Sequence, residues 1–387
     1  MILIFWFLWL LFGIIALGPA AFIFFFMSRK AKQPWQIKIN PNYKPKISVI
    51  VPTYNEASII ELKLANLKRL SYQENLIEIL IVDSNSTDGT IEKVRKFVNE
   101  NPEKPLRILM ENERKGKSHA LNYALSQCTG DVIVVSDADC FWPSDILEKA
   151  VPFLADQSVG AVSGPKILLN SNQTWITRME TAYLKSANAL RLGESKAGST
   201  LFFEGGFSAF KREAFEGFDL YRTGSDDCGT VVRVIEKGFR ALLVPEAFFY
   251  SSFPVSFKEK LGIKLRRANQ LVRLFWRYFC LLLKGKVKTT RITVVPNVFL
   301  YLFSPITFII LAFLSGFLAF SYPYLLLCLL ILVVPKVRFY FYTILESNTL
   351  LFLAIFGVAI GRRFSVWNQP KDRISLSKKA LSQLNLV

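Results

Sequence analysis

From residue 46 to residue 250, short runs of aliphatic and β-branched residues alternate with segments of helical pattern. The runs lie at 47–51, 76–82, 106–110 and 132–135. Each has the length of a buried strand, and polar residues follow it before the next helical segment begins. Strands that alternate with helices form a mostly parallel sheet with helices on both faces. We therefore predict an α/β fold over 46–250, with the polar residues that follow the strands at one edge of the sheet.

Further segments complete the predicted domain, among them short strands at 159–163 and 240–244. Pro143 marks the start of a helix, because proline suits the first helical turn. Residues 173–192 have a helical pattern, and residues 193–200, rich in Gly and Ser, are predicted to form a mobile loop. The pattern Gly-x-Gly-x-x-Gly does not follow the first strand, which disfavours a dinucleotide-binding site.

The strand at 132–135 is followed by Asp137 and Asp139, two carboxylates one residue apart. Side chains alternate along an extended chain, so both carboxylates point the same way. Paired oxygen ligands suit Mg²⁺ or Mn²⁺ held together with a phosphate. Because Asp-x-Asp is also common in solvated turns, the pair predicts a metal site only together with the motifs around it.

The formal net charge of the chain is +18 at pH 7, yet its mean hydropathy is positive, +0.30. Both values are explained if long apolar segments carry basic flanks, as in an integral membrane protein with a cytoplasmic catalytic domain. Nucleic-acid binding is the other function that a basic chain suggests. It is disfavoured here because the positive charge is concentrated beside the apolar segments.

Residues 2–27 are almost wholly apolar and long enough to span a bilayer. A cleaved signal peptide would carry basic residues before the apolar run, whereas here the basic residues follow it, at 29–32. This order predicts a transmembrane anchor over 1–27, with the following domain in the cytoplasm. Residues 28–45 contain prolines and are predicted to be a linker.

Residues 255–291 contain eleven Lys or Arg and one acid, Glu259. Apolar residues recur at intervals of three and four from Leu261 to Phe279, which predicts an amphipathic helix. Such a helix lies along an anionic membrane surface. The alternative is a helix packed on the domain, with its basic face in solvent. We assign 251–291 to basic amphipathic interfacial helices.

Apolar stretches within 292–361 predict C-terminal transmembrane helices. Those at about 295–320 and 322–345 are each long enough to span a membrane. The third, 350–360, is short alone, and is interfacial, re-entrant or the end of a tilted span that begins near Phe339. We favour two spans, because a cytoplasmic C-terminus requires an even number after the domain.

Two features favour a cytoplasmic location. Residues 362–387 form a basic tail, which is typical of the cytoplasmic side of a membrane. The five cysteines are widely spaced and form no disulfide or zinc pattern, which suits a reducing compartment. The single histidine, His119, excludes a multi-histidine metal site, and we predict that it caps or packs.

Four motifs follow the predicted strands in a fixed order. They are VPTYNE at 51–56, VDSNSTDGT at 82–90, KGKSHALN at 115–122 and DAD at 137–139. Together they resemble the motifs of family-2 glycosyltransferases, inverting enzymes that use nucleotide-diphosphate sugars. The membrane segments resemble those of the subgroup that contains cellulose, hyaluronan and poly-N-acetylglucosamine synthases and lipid-linked-sugar transferases.

The resemblance implies roles for individual residues. The residues implied in donor binding are Pro52, Thr53, Glu56, Asp83, Lys117 and Asp137. Asp139 would ligate Mg²⁺ or Mn²⁺, with Asp137 on the metal or the ribose. Asp83 would recognise the base of a UDP-sugar, unless it only caps a turn, and Lys117 is either a donor contact or a solvated loop lysine. A divalent cation would stabilise the diphosphate that leaves.

The family's Thr-Glu-Asp-type motif corresponds here to Ser225-Asp226-Asp227. The resemblance implies that Asp227 is the general base for the acceptor hydroxyl. The two aspartates also suit a helix N-terminus, which does not conflict with that role. Gly205 and Gly206 resemble the family's acceptor-side glycines and permit close approach by a sugar, the alternative being a bulge or turn.

Processive synthases of the family carry Gln-x-x-Arg-Trp on a helix after the base. We predict that the corresponding segment is 264–268, KLRRA, which lacks the Gln and the Trp. Arg266 or Arg267 would then pair with the diphosphate. Because the Trp that would stack on the acceptor sugar is missing and few spans follow, processive synthesis is disfavoured.

The sequence therefore predicts a glycosyltransferase of the cell membrane that adds one sugar or a few to a lipid-linked or membrane-proximal glycan acceptor. Its expected partners are a nucleotide sugar, this acceptor and membrane lipids, without nucleic acid. The alternatives are a processive polysaccharide synthase and a non-catalytic scaffold that binds nucleotide sugars. The acids at 83, 137, 139 and 227 favour an enzyme over a scaffold.

Overall fold

The structure is a computed structural model that describes residues 2–287, 290–362 and 381. Most of the basic tail predicted at 362–387 therefore lies outside the described residues.

A seven-stranded sheet forms the centre of the domain. The strands are β1 (Ile47–Thr53), β2 (Ile77–Asp83), β3 (Leu106–Met110), β4 (Val132–Val135), β5 (Val159–Ser163), β6 (Lys166–Leu168), β7 (Ser208–Lys211), β8 (Arg240–Leu243) and β9 (Phe249–Ser251). The sheet order is β3-β2-β1-β4-β7-β5-β8, and β6 pairs with β9 in a separate parallel ribbon. Within the large sheet, β7 runs antiparallel to β4 and β5, and the other pairs are parallel.

Helices cover this sheet and extend from it. They are α1 (Ile2–Ala31), α2 (Ile60–Lys68), α3 (Thr90–Glu100), α4 (Lys117–Leu125), α5 (Ile146–Ala150), α6 (Trp175–Ala197), α7 (Cys228–Glu236), α8 (Phe257–Leu283), α9 (Arg291–Val298), α10 (Ser304–Ser321) and α11 (Pro335–Ala359). A π-helical turn, Phe299–Phe303, joins α9 to α10, and a 3₁₀ helix, Pro323–Val333, precedes α11.

Side chains of each strand alternate between two hydrophobic cores, one on each face of the sheet. Val132 and Val134 of β4 pack with α2, α3 and α5, whereas Ile133 and Val135 pack with α4, α7 and α8. All four residues are buried, as expected for a strand covered on both faces. The structure thus confirms the predicted α/β class with a mostly parallel sheet.

The reversed strand β7 brings a second segment to the functional edge of the sheet. Because β7 is antiparallel to β4, its first residue, Ser208, lies opposite the last residue of β4, Val135. The residues before β7 and the residues after β4 therefore meet at the same edge. This topology places Gly205 and Gly206 beside Asp137, although the two segments are far apart in sequence.

Two predicted boundaries are wrong. The helix expected at Pro143 begins at Ile146, because Pro143 belongs to a preceding turn in which its carbonyl accepts the Ile146 N–H at 3.2 Å. The loop expected at 193–200 is helical as far as Ala197. Position 193, inside α6, requires glycine because a Cβ there would lie 2.0 Å from the carbonyl oxygen of Met27, where α1 crosses.

Three helices of the described residues are long and apolar enough to cross a membrane. They span Leu3–Ala31, Arg291–Ser321 and Pro335–Ala359. Two of them follow the domain, as favoured, but the bounds predicted for the second span, 322–345, are wrong. Prolines at 323 and 335 each start a new helix, so the last span includes the stretch at 350–360 that looked too short alone.

The N-terminal and C-terminal helices form one bundle on the domain. The Trp9 indole N–H donates to Ser315 Oγ at 2.8 Å, and the Ser304 hydroxyl donates to the carbonyl of Ile15 at 3.1 Å. These bonds join α1 to α10, while α1 also packs along α6. The membrane helices are thereby fixed relative to the edge of the sheet that carries the polar motifs.

Candidate active site

A cavity of about 1840 Å³ begins at the carboxyl ends of β1, β2 and β4 and continues between α1, α6, α8 and α11. Its polar end is lined by Asp137, Asp139, Lys117 and Asp227, which come from three separate segments. The remote acids therefore share one cavity, as the predicted site requires.

Asp137, Asp139 and Cys140 place their ligand atoms within 4.8 Å of one another just after β4. Asp139 is buried, whereas about a third of the Asp137 side chain is exposed to the cavity. Two hard carboxylate oxygens suit Mg²⁺ or Mn²⁺, while the thiol is a soft ligand that neither ion prefers. The two aspartates are the donor set that fits a divalent cation.

Lys117 connects the aspartates after β4 to the loop before α7. Its Nζ lies 2.6 Å from Asp137 Oδ1 and 2.7 Å from Asp226 Oδ2. Burial alone would lower the pKa of the ammonium, but Asp137, Asp226 and Asp227 together raise it above its ordinary value. Lys117 is therefore a fixed positive charge in the cavity and not a solvated loop lysine.

Asp227 is the N-cap of α7. Its Oδ1 accepts the backbone N–H of Cys228 at 2.7 Å and also the Ser225 hydroxyl. Burial, with the neighbouring charge of Asp226, raises the pKa of Asp227 to about 6, and Lys117 opposes this shift. A carboxylate that titrates near neutral pH and is rigidly mounted on a helix suits general-base chemistry.

Helix α8 positions the loop that carries these acids. The Gln270 amide donates to the carbonyl of Gly224, and Arg273 lies so close that a Cβ on Gly224 would be 1.9 Å from its guanidinium. Gly224 has a φ of +86°, and its N–H donates to Asp219 at 2.7 Å. The loop is thus held between Asp219 and α8.

A second segment of α8 has the Gln-x-x-Arg spacing, while the correspondence of 264–268 to the motif stays a prediction. Residues 270–273, QLVR, have the Gln-x-x-Arg spacing, and both side chains line the cavity. The spacing was present in the sequence and is the signal that could have identified them. Leu274, fully buried, stands where the motif has Trp, so the indole is still missing.

The basic face of α8 turns towards the cavity. Lys264, Arg266 and Arg267 line it, while the apolar face, including Phe275, packs in the core beside α7. Burial, and then Arg267, lower the pKa of Arg266 to about 10. The helix packs on the domain, and these three cations line the cavity instead of facing solvent. A location of the helix along the membrane surface stays a prediction.

Gly205 and Gly206 have different neighbours. A Cβ on Gly205 would lie 2.9 Å from Asp137 Oδ2 and 3.0 Å from Lys117 Nζ, at the cavity surface. A Cβ on Gly206 would lie 2.1 Å from the buried ring of Phe249. Gly205 thus leaves space beside the charged groups, while Gly206 is required by packing.

Pro52, Thr53 and Glu56 line the cavity at the end of β1. Asp83 is fully buried and is not among the residues that line it. The Asp83 carboxylate accepts the N–H of Ser86 at 2.8 Å and the Ser86 hydroxyl at 2.6 Å. This is the geometry of the turn-capping alternative, and base recognition by Asp83 stays a prediction.

Comparisons with known proteins agree with this geometry. A family model described as glycosyl transferase family 2 matches residues 48–218. A solved structure of a mannosyltransferase from Pyrobaculum calidifontis, in complex with GDP-Man and Mn²⁺, is 31% identical with a TM-score of 0.77, over 90% of this chain and 97% of that chain. The fold and the site thus define a glycosyltransferase.

Curated relatives extend the agreement. An N-acetylglucosaminyltransferase of Rhizobium meliloti is 28% identical, and a probable glycosyltransferase of Bacillus subtilis, YdaM, is 31% identical. Each match covers 59% of this chain and 56% of the relative, so the chain spans about half the length of these relatives. The chain belongs to the family-2 glycosyltransferases.

Proposed function

We propose that the protein is an inverting glycosyltransferase of the cell membrane, which transfers a sugar from a nucleoside diphosphate to a lipid-linked acceptor on the cytoplasmic side. One observation carries this proposal: a single cavity has acids and cations at one end and apolar side chains of the membrane helices at the other. A lipid-linked acceptor has the same two-part chemistry.

The apolar end of the cavity suits a hydrocarbon chain. Small side chains of α1 at Ala16, Ala20 and Ala21 leave space there, and Leu350 and Leu351 of α11 line the cavity too. These residues belong to helices long and apolar enough to span a membrane. A lipid chain could therefore stay in an apolar environment while its head group reaches Asp227.

The polar end suits the donor. Asp137 and Asp139 would hold Mg²⁺ or Mn²⁺, and the mannosyltransferase neighbour supports this because it was solved with GDP-Man and Mn²⁺. The cation, when bound, supplies positive charge to the leaving diphosphate. Lys117, Arg266 and Arg267 add charge from the other walls of the cavity. The resemblance favours a UDP-sugar as donor.

Asp227 would take the proton of the acceptor hydroxyl. The acceptor oxygen then bonds to the anomeric carbon as the bond from that carbon to the diphosphate oxygen breaks, which inverts the configuration. The nucleoside diphosphate leaves with the bonding electrons, and the proton stays on Asp227 Oδ until solvent removes it. Ser225 and the Cys228 N–H keep the carboxylate oriented.

Transfer assays with the purified full chain test this function. Labelled UDP- and GDP-sugars are offered with Mn²⁺ and with lipid phosphates of long or short chain. We expect a short product that is extracted into organic solvent. Ala20→Trp should fill the apolar end and reduce transfer to the long-chain acceptor at least about tenfold, a lost packing energy of about 1.4 kcal/mol, with the short-chain acceptor unaffected.

Phe313→Ala is a matched control, because Phe313 lies on α10 and is 77% exposed. It should leave transfer to both acceptors unchanged. Equal activity of Ala20→Trp on both chain lengths would contradict the lipid site, and absence of transfer from every donor would favour the non-catalytic scaffold.

A processive polysaccharide synthase is the second candidate. Gln270 and Arg273 favour it, because they have the spacing found in processive enzymes of the family and line the cavity. Leu274 argues against it, since it offers no indole to stack on the acceptor sugar. A long water-soluble polymer in the same transfer assay would support the processive alternative.

A further inference from the structure

A second cluster of polar side chains lies at the same edge of the sheet as the aspartates, but beyond the strands β2 and β3. It consists of Ser84 after β2, Glu111 after β3 and His119 in the first turn of α4. In the sheet order, β1 separates these strands from β4 and its Asp137. With the diphosphate at Asp137, the nucleoside of a donor would extend towards this cluster.

Glu111 fixes the orientation of the histidine ring. The Glu111 side chain is 4% exposed, its Oε2 accepts the Ser84 hydroxyl at 2.6 Å, and its Oε1 lies 2.5 Å from His119 Nδ1. A carboxylate only accepts hydrogen bonds, so Nδ1 carries the hydrogen. The backbone N–H of Glu111 also donates to the carbonyl of Asp83 at 2.8 Å, which ties the pair to the sheet.

The other ring nitrogen of His119 is available to a ligand. About half of the His119 side chain is exposed, and the residue lines the cavity. In a neutral imidazole whose Nδ1 is protonated, Nε2 carries a lone pair and accepts a hydrogen bond. When the ring is neutral, the contact with Glu111 therefore leaves an acceptor facing the cavity.

Two planar side chains, Tyr54 and Arg114, also line the cavity. The Arg114 guanidinium lies 3.8 Å from the centre of the Tyr54 ring, and both residues line the cavity together with Ser84. Planar groups of this kind suit contact with an aromatic base. The cluster thus combines a directional acceptor with a planar surface.

We propose that His119 is a base-specificity residue, which accepts at Nε2 the ring N–H of a uracil or guanine base, and that Glu111 is its positioning residue. This inference rests on the proposed function, because it concerns the donor of that reaction. Adenine and cytosine present a ring nitrogen lone pair at the corresponding position, so an acceptor disfavours them. The site therefore selects nucleoside diphosphates whose base carries a ring N–H.

Equilibrium binding to the full chain in detergent, with Mn²⁺ and without acceptor, tests the proposal. The probes are UDP, GDP, ADP, CDP and pyrophosphate. We expect UDP or GDP to bind about tenfold more tightly than ADP and CDP, the effect of one discriminating hydrogen bond. His119→Ala should remove this preference and leave pyrophosphate binding unchanged.

Further variants separate base recognition from general disruption. His119→Gln retains an acceptor and should keep part of the preference, while Glu111→Gln should weaken it because the ring is less firmly oriented. Tyr123→Ala is the control and should bind like the wild type. Tyr123 is exposed, lies one turn further along α4 and does not line the cavity.

Three results would overturn the proposal. They are equal binding of ADP and UDP by the wild type, an unchanged preference in His119→Ala, and an equal loss of pyrophosphate and nucleotide binding in that variant. Failure of the wild type to bind any nucleotide or pyrophosphate would reject the proposed function as well. Normal nucleotide binding without sugar transfer would leave the role of His119 intact, so the two failures are distinguishable.

Discussion

The ammonium of Lys117, the first residue of α4, lies 2.6 Å from the carboxylate of Asp137. The same ammonium also contacts Asp226, so it neutralises acids from two segments that would otherwise repel each other. Lys117 therefore forms an ion pair with Asp137, one of the two aspartates that suit a divalent cation. The lysine and the cation should therefore compete for Asp137 when no donor is bound.

Lys117→Met tests this competition. Removing the ammonium leaves a more negative aspartate pair, so Mn²⁺ should bind more tightly in the absence of donor. Transfer should nevertheless fall about 10²-fold, because one charge that stabilises the leaving diphosphate is lost. Titration with Mn²⁺ followed by electron paramagnetic resonance measures the first effect, and initial rates measure the second.

Lys115→Met is the matched control for this experiment, because Lys115 pairs with Glu113 at the surface, 2.6 Å away. It should leave Mn²⁺ affinity unchanged. Weaker Mn²⁺ binding in Lys117→Met would show that the lysine supports the cation instead of competing with it.

The pH dependence of transfer should report Asp227. A base works only when deprotonated, and the pKa of Asp227 is raised to about 6, so kcat/KM should rise with pH through about 6. Asp226→Asn removes a negative charge that raises this pKa, so the acidic limb should move to lower pH. The comparison requires kcat/KM for both proteins between about pH 4.5 and 8, which covers the range over which Asp227 titrates.

Asp227→Asn should abolish transfer at every pH while UDP binding persists, since the amide cannot take a proton. Near wild-type turnover in this variant would end the assignment of the base. An acidic limb that stays in place in Asp226→Asn would mean that another group controls the profile.

The sequence was sufficient to predict the fold because strand and helix periodicities agree with the motifs. Runs such as 132–135 are apolar at every position, as a strand covered on both faces requires. The loop predicted at 193–200 failed for the opposite reason. Gly193 reads locally as a helix breaker, but a tertiary contact with α1 selects it, and no local pattern reports that contact.

The site was predictable where a residue follows a strand and less so elsewhere. The strand before Asp137 and Asp139 was enough to place both residues at the edge of the sheet. Gln270 lies beyond the segment nearest to the base, so only its spacing to Arg273 marks it in the sequence. The contact of Lys117 with Asp226 depends on the loop before α7, whose position the motifs do not give.

Asp83→Asn should affect stability more than donor binding. The buried carboxylate accepts two hydrogen bonds from Ser86. In Asp83→Asn the amide NH₂ would face one of these Ser86 donors, and that hydrogen bond would be lost. We expect a loss of about 1–3 kcal/mol in the free energy of unfolding, seen as a lower unfolding midpoint. If Asp83 recognises the base, as the family resemblance implies, the donor KM would instead rise while the midpoint stays unchanged.

Gly205→Ala and Gly206→Ala should separate the two roles of this pair. A Cβ at Gly206 would lie 2.1 Å from the Phe249 ring and 2.7 Å from Cys140 Sγ, both buried, so the core must shift. Overpacking of this kind costs about 1–3 kcal/mol and should lower the unfolding midpoint.

At Gly205 the added methyl would instead meet the ends of the Asp137 and Lys117 side chains, which can move aside. We expect Gly205→Ala to keep its unfolding midpoint but to raise the donor KM, because the displaced ends are the groups that would contact the diphosphate. Thermal unfolding and initial rates measured on both variants make the comparison, each variant serving as control for the other. A lower midpoint in Gly205→Ala with an unchanged donor KM would show that both glycines act through packing alone.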